Sequence, residues 1–434
     1  VIVTLIAMMA HVPVAVAQRG DGTARVATDS TWQDHRIAAR DAYNSGNFAG
    51  YRSQLLRLYD LMSGSPQVVY SLAVAEAKLH DEEGALGYIA QFASMGLTAN
   101  ISTDSAFASL RDKAQFQEVL RRMERNESPT SRSSVAFKLP EADMLSEDIS
   151  YDQVAGQFFV SSVRKGKIVA VGRDSQVTDF ITSGSNGVWG ILAVAVDPVR
   201  RVLWATTLAT PMTVGFQPSD SGRTALLQYD LGTHKLLHRY DLPVADGPHA
   251  LGDMTVSSKG DVYVSDGAAG IVYVLRGGSA QLTVVVAPGD LPSPQTPVLS
   301  ADELRLYVAD YIRGIAIVDL STGAVSWLSH PKDLAVSGID GLYRSGNTLF
   351  AIQNGTSPER VIQMKLDATG KSVVNWDLIE ANSDGLGEPT HGVIVESDFY
   401  FIANSGWDRL ERDGTVRQGG FTAPFVRRFP LGKR

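Results

Sequence analysis

From about residue 31 to residue 125 the apolar positions recur with a period near 3.6. Tyr51, Leu55, Leu58 and Tyr59 share one face, and Val69, Leu72, Ala73 and Ala77 share another that Glu76 alone interrupts. The pattern predicts amphipathic helices. Two stretches, AARDAYNSGNFAGYRSQLLRLYDLMSGSP and VVYSLAVAEAKLHDEEGALGYIAQFASMG, each read as helix, short polar turn, helix; a shorter third pair runs through DSAFASLRDKAQFQEVLRRMERN. The polar stretch NESPTSRSS, with Pro129, then breaks the period. Beyond it the alternation becomes two, glycine is frequent, and turn signals recur about every ten residues, which predicts short strands.

Within the strand-forming half a short repeat is visible. FVSSVRKG from Phe159, YVSDGAAG from Tyr263 and YVADYIRG from Tyr307 each carry glycine seven residues after the aromatic. Weaker copies begin at Trp204, Phe350 and Tyr400. Repeats of about 40 to 50 residues with several short strands each are the mark of a β-propeller, here with six blades. A β-sandwich, the alternative, does not explain the constant interval. The segment SVAFKLP, residues 134–140, alternates like a strand and can supply the outer strand that the last copy lacks, closing the ring without an open edge. In the helical half, Ala73 and Ala85 stand where paired helices must approach closely, a spacing that resembles tetratricopeptide repeats. Such a unit is either a protein-binding groove or a helical cap. The expected fold class is thus mainly β, a six-bladed propeller at 134–434, preceded by a helical domain at 29–125 and a linker at 126–133.

The formal net charge of −8 and the absence of a Lys/Arg run exclude nucleic acid as the main partner and favour a small neutral ligand or a cation. With no cysteine there is neither disulfide nor thiolate metal site. The apolar run VIVTLIAMMAHVPVAVA, residues 1–17, ends on a small-x-small pattern and reads as a signal peptide, which implies export to a periplasm or the medium; nothing after it is apolar for long enough to hold the chain in a membrane.

Loops leading into the innermost strand of each blade point into the central channel, so residues at matching offsets before the aligned aromatic should form a ring. Ten residues before it stand Asp253 and Asp340; twelve before it stand Glu147, Gln295 and Glu388, with Asp148, His249, Gln353, Asn354, His391 and Asn404 nearby. Carboxylates gathered without basic neighbours raise one another's pKa unless a cation sits among them. Carboxylate and amide oxygens without thiolate suit Ca²⁺ or Mg²⁺ better than Zn²⁺. A bound divalent ion could polarise a carbonyl and acidify water, which suits hydrolysis of an ester or lactone. Asp and Asn are also common in turns for local reasons, and Asp266 and Asp310, at equal positions in their blades, read as structural. Trp407 could wall a pocket. No nucleophile elbow, HExxH or phosphate loop competes.

On SEDISYDQVAGQFFVSSVRKGKIVAV and SGIDGLYRSGNTLFAIQNG the propeller half resembles the SMP-30/gluconolactonase/LRE-like superfamily of six-bladed propellers. The resemblance implies a divalent ion in the channel held by a Glu, an Asn and an Asp, the Asp also serving as acid/base in lactone hydrolysis. Glu147 and Asp340 stand at the Glu and Asp positions, and Gln295 stands where that family has Asn. The family's substrate-binding Arg has no counterpart in DGPHALGDM, and EPTHGVIVESDFYFIANSGW resembles exported members fused to tetratricopeptide repeats. Two readings follow. In one, Asp340 is ligand and general base, Glu147 and Gln295 are ligands, and Glu388, His391, Asn404, Gln353, Asn354, Asp253 and His249 meet a lactone, ester or sugar-derived molecule. In the other, the chain is a non-catalytic module whose helical repeats and propeller rim hold a protein or cell-envelope partner.

Overall fold

A computed structural model describes residues 31–62, 64–244 and 247–432; the segment expected to direct export lies outside them. The chain divides into two compact units. One is helical, runs through Ser128 and also includes His330–Val336; the other comprises Pro129–Ser329 and the chain from Ser337 onward.

The helical unit holds α1 (Trp32–Asn44), α2 (Phe48–Leu61), α3 (Pro66–Lys78), α4 (Glu82–Ser94) and α5 (Ala114–Asn126). Local chemistry starts these helices. Thr31 and Asp34 form a reciprocal capping box, Asn47 and Asp81 accept the N–H of Gly50 and Gly84 at 2.9 Å, and Pro66 opens α3. Ala73 on α3 and Ala85 on α4 are fully buried in one apolar cluster with Ile89, Phe107 and Phe116, so their small size sets the close approach of the two helices. Glu76, the single polar residue of its stripe, is buried and bound by the Arg52 guanidinium at 2.6 Å. The third predicted pair is not a pair. Its first member is a 3₁₀ turn, Ser105–Leu110, capped by Asp104, a stretch too short to complete an α-helix, and only α5 follows.

The second unit is six antiparallel four-stranded blades, one with an added strand. Blade one contains β3 (Ser146–Asp152), β4 (Gln157–Ser162), β5 (Lys167–Val171) and β6 (Val177–Ile181). Blade two contains β7 (Gly190–Asp197), β8 (Val202–Leu208), β9 (Thr224–Asp230) and β10 (Leu236–Asp241). Blade three contains β11 (Leu251–Val256), β12 (Val262–Asp266), β13 (Ile271–Leu275) and β14 (Leu282–Val286). Blade four contains β15 (Pro294–Leu299), β16 (Arg305–Asp310), β17 (Gly314–Asp319) and β18 (Val325–Trp327). Blade five contains β19 (Ile339–Ser345), β20 (Thr348–Gln353), β21 (Arg360–Leu366) and β22 (Val373–Ala381), with β1 (Thr130–Ser131) on its outer edge. In blade six the outer strand is β2 (Ser134–Lys138), which pairs with β25 (Phe425–Pro430) beside β24 (Asp398–Ile402) and β23 (Gly392–Val395). The ring therefore closes with a strand from before blade one. Arg427 on β25 secures the join: it meets buried Glu380 at 3.2 Å and the hydroxyls of Ser133 and Ser131 at 2.8 Å.

The repeated aromatics lie on the second strand of each blade, and Phe159, Trp204, Tyr263, Tyr307 and Phe350 are buried between neighbouring sheets. Burying each such side chain contributes about 1.5–3 kcal/mol. At the channel end, five inner strands share one irregularity. Their pairing skips from Ser146 to Ile149, Ile191 to Val194, Leu251 to Met254, Pro294 to Pro297 and Ile339 to Leu342, so two residues oppose one on the next strand. These are β-bulges, and a bulge re-aims side chains that a regular pleat would bury in the sheet. The bulged residues are Glu147 and Asp148, Leu192 and Ala193, Gly252 and Asp253, Gln295 and Thr296, and Asp340 and Gly341. In blade six Thr390 and His391 occupy the same place, since the Ile402 N–H donates to His391 O at 2.9 Å just before Gly392 pairs with Phe401. Hydroxyls bind the carbonyl of the first bulge residue in the next blade: Ser161 to Leu192, Thr206 to Gly252, Thr296 to Asp340 and Thr390 to Glu147, at 2.7–2.9 Å.

Candidate functional site

The bulges correct the ring that fixed offsets predict. Glu147, Gln295 and Asp340 are true equivalents, as first residues of their bulges; Asp253 belongs with Asp148, Thr296 and His391, as second residues. Offsets counted from the aromatic fail because the intervening turn varies. Two residues separate β19 from β20 and five separate β11 from β12.

Glu147, Asp340 and His391 meet: one potential ligand atom from each lies within 4.8 Å of the others, and all three are buried. The indole of Trp407, itself buried, donates to Glu147 Oε2. The Asn354 amide donates to Asp340 Oδ2 at 2.6 Å and accepts from the Tyr311 hydroxyl at 3.1 Å. Each carboxylate thus has one oxygen fixed by a neutral donor, while Glu147 Oε1 and Asp340 Oδ1 carry no hydrogen bond among the described residues. His391 is hydrogen-bonded at Nδ1 and in ion-pair contact at Nε2. Nδ1 lies 3.0 Å from Glu147 O and Nε2 lies 2.9 Å from Asp253 Oδ2, which also accepts from Thr296 Oγ1 at 2.8 Å. With two acceptors facing it, the ring suits the imidazolium form and acts as the cluster's own cation.

Burial and the Asp340 charge push the Glu147 carboxyl well above the usual range, against the pull of His391 and Trp407. Burial raises Asp148 to about 7, opposed by His391 and by the Val194 and Ile149 N–H groups. Asp340 is raised by burial, with Asp253 adding to it and His391 and Asn354 opposing. Burial works to lower the pKa of His391, but Asp253, Asp340 and Asp148 outweigh it and hold the ring well above its ordinary value. Carboxylates so placed require protons or a cation. The residues fit a divalent cation on this ground: two buried carboxylates, each with one oxygen bound by a neutral donor, lie with His391 close enough for one potential ligand atom of each to fall within 4.8 Å of the others.

The remaining candidates fall in different places. Asp253 reaches the cluster through His391, and Asn354 through Asp340. Glu388 lies two residues before the blade-six bulge, buried, and burial together with Asp340 pushes it up to about 7. Gln295 shares the register of Glu147 but turns its amide to Ser293 O and Oγ at 3.3 and 3.2 Å. His249 Nδ1 pairs with Asp266 at 2.6 Å, Gln353 bridges Ser337 O and the Arg360 guanidinium, and Asn404 satisfies the Phe425 N–H and Ala423 O. Asp310 accepts the N–H groups of Ser293, Ile312 and Arg313, the structural role expected of it. Thr296, Thr390 and Tyr343 escape sequence reading: Thr296 and Tyr343 are ordinary strand residues and Thr390 lies in the loop before β23, until the bulge and the neighbouring blade define their surroundings.

Below the bulges a cavity of about 300 Å³ runs down the channel, lined by all six inner strands. Asp148, Asp253, Thr296 and His391 line it, as does Tyr343; Glu147 and Asp340 do not.

No family model matches the sequence, and no curated protein matches it. Among solved structures the chain is similar to an aldose sugar dehydrogenase from Streptomyces coelicolor in its PQQ-bound form (11% identity, TM-score 0.47, covering 70% of this chain and 99% of that one). It is also similar to a virginiamycin B lyase from Staphylococcus aureus (11%, 0.46, 69% and 88%) and to a gluconolactonase from Xanthomonas campestris (14%, 0.44, 70% and 95%).

Proposed function

We propose that the propeller is a cation-dependent hydrolase acting on a small lactone, ester or sugar-derived molecule, with Glu147 and Asp340 as ligands of a divalent ion, Ca²⁺ or Mg²⁺. The supporting observation is the meeting of these two carboxylates with His391 in a buried cluster. A hard ion there would polarise a carbonyl and lower the pKa of water. Asp340, with Oδ2 bound by the Asn354 amide, would help hold the ion and would serve as the base that takes a proton from water. His391, fixed by Glu147 O and Asp253, balances negative charge and orients Glu147. The apolar residues 1–17 suit export, and the helical unit suits a protein partner.

Calorimetric titration of the chelated protein with Ca²⁺ and Mg²⁺, and turnover of a panel of lactones and aryl esters, test this reading. Asp340→Asn is expected to keep the fold, lose cation binding and reduce turnover by about a hundredfold or more. Cation binding that survives in both Asp340→Asn and Glu147→Gln would sink it.

A further inference from the structure

Asp340 takes its bearing from a residue of the neighbouring blade. Tyr311 stands in the turn after β16, four residues past the repeated aromatic, where Val163, Leu208, Gly267, Asn354 and Asn404 stand in the other copies. The turn itself therefore does not require a phenol. The Tyr311 backbone is pinned on both sides: its N–H donates to Ser293 O at 3.0 Å, and its carbonyl accepts the Gly338 N–H at 2.7 Å. The ring lies against Gly355, whose N–H donates to Gly338 O at 3.1 Å. A Cβ on Gly355 would stand 2.6 Å from Tyr311 Cζ and 2.7 Å from its hydroxyl, so this glycine keeps open the slot that the ring enters. From the slot the hydroxyl donates to Asn354 Oδ1 at 3.1 Å, and Asn354 Nδ2 donates to Asp340 Oδ2 at 2.6 Å. Burial and the charges of Asp340 and Glu388 hold the phenol above its ordinary pKa, so it keeps the proton it donates.

We infer that Tyr311 is a positioning residue: its hydroxyl fixes the Asn354 amide with Nδ2 toward Asp340 and, through that amide, holds the Asp340 carboxylate. An amide has a donor end and an acceptor end, whereas an ionised carboxylate only accepts; turned about, Asn354 would set oxygen against oxygen. The phenol proton occupies the acceptor end and leaves the amide one favourable orientation. Hydrogen bonds in such a row also polarise one another, which makes the Asn354 N–H a stronger donor to the charged form of Asp340. That the row serves cation binding rests on the proposed reading of Asp340 as a ligand; the row itself does not.

Calorimetric titration with Ca²⁺ compares the full chain with Tyr311→Phe, Asn354→Ala and the double variant. Phenylalanine keeps a ring in the slot and removes only the donor. Tyr311→Phe is expected to weaken Ca²⁺ binding by about 3–10-fold, and the double variant to bind within about twofold of Asn354→Ala alone, because the phenol acts through the amide. A phenol that merely packs would leave affinity unchanged or would add its own loss to that of Asn354→Ala, and either result would overturn the inference. The second readout needs no ion. In chelator, with asparagine side chains isotope-labelled for NMR, one Asn354 amide proton is expected well downfield of its partner in the parent chain, and Tyr311→Phe should bring the two together. An averaged pair in the parent, which is read even if the variant does not fold, or a pair that Tyr311→Phe leaves unmoved, would overturn the inference. A parent that binds neither Ca²⁺ nor Mg²⁺ while its amide signals behave as expected would instead overturn the hydrolase reading alone.

Discussion

Asp310 and Asp340 are buried aspartates in adjacent blades, yet the fold treats them in opposite ways. Asp310, at the end of β16, is saturated by three backbone N–H donors from the turn it closes and the loop before its blade. Asp340, in a bulge of β19, has one amide donor on one oxygen and faces Glu147 and His391. Both are raised by burial, Asp310 to about 6. The difference is what compensates them. Backbone donors complete a structural carboxylate, whereas one left with a bare oxygen among its like needs a proton or a cation. The same contrast separates His249, paired with Asp266, from His391, which faces several carboxylates at once.

The largest effect expected from breaking this comparison is on stability. Asp310→Ala strands three N–H groups and should cost about 3–5 kcal/mol in urea unfolding, whereas Asp340→Asn in chelator should leave stability unchanged or raise it by about 1 kcal/mol. Equal losses would show that both residues serve only their turns.

The pH response comes next. Folding raises the carboxyls of Glu147, Asp148 and Asp340 above their unfolded values, so their neutral forms favour the native state and that advantage is lost as pH rises through the folded values. His391, also raised, contributes stability below its unfolded value that is lost as pH climbs through the folded one. Both effects have the same sign. In chelator the Tm should fall between pH 4 and 8, and the Asp148 part of that fall starts near its ordinary carboxylate range and is complete by about 7; saturating Ca²⁺ should flatten the profile, and a profile indifferent to the cation would count against the site.

Smaller effects probe the groups that aim the carboxylates. Asn354→Ala frees Asp340 Oδ2 and Trp407→Phe frees Glu147 Oε2; each should weaken cation affinity by about 10–100-fold in the same titration. Gln295→Ala gives the smallest change. Although Gln295 shares the register of Glu147 and Asp340, its amide returns to its own strand, and cation affinity should stay within about twofold of the parent. A larger drop would restore Gln295 to the ligand set.

Much of this architecture is legible in the residues themselves. The aromatic-to-glycine interval marks the blades because each second strand must bury one large ring between sheets and then turn on a residue free to adopt positive φ, as Gly166 and Gly270 do. Blade six likewise needs an outer strand, which the alternation of SVAFK offers. The helical stripe marks Ala73 and Ala85 for the same reason: periodicity and size are local properties. The candidate site is legible only in its residue types. A constant offset from the aromatic assumes turns of constant length, whereas Gly346 and Asn347 alone join β19 to β20, and this places Asp340 opposite the wrong partners.

The sequence by itself determined the six repeats, the helical unit and a surplus of acids near the starts of inner strands, since these depend on neighbours a few residues away. Only the tertiary structure decided which acids share a point in space. Five β-bulges and the matching loop of blade six turn Glu147, Asp253, Asp340 and His391 toward one axis, while local hydrogen bonds take up Gln295, His249 and Asn404. A bulge changes the side to which a residue points, and that depends on the pairing of whole strands.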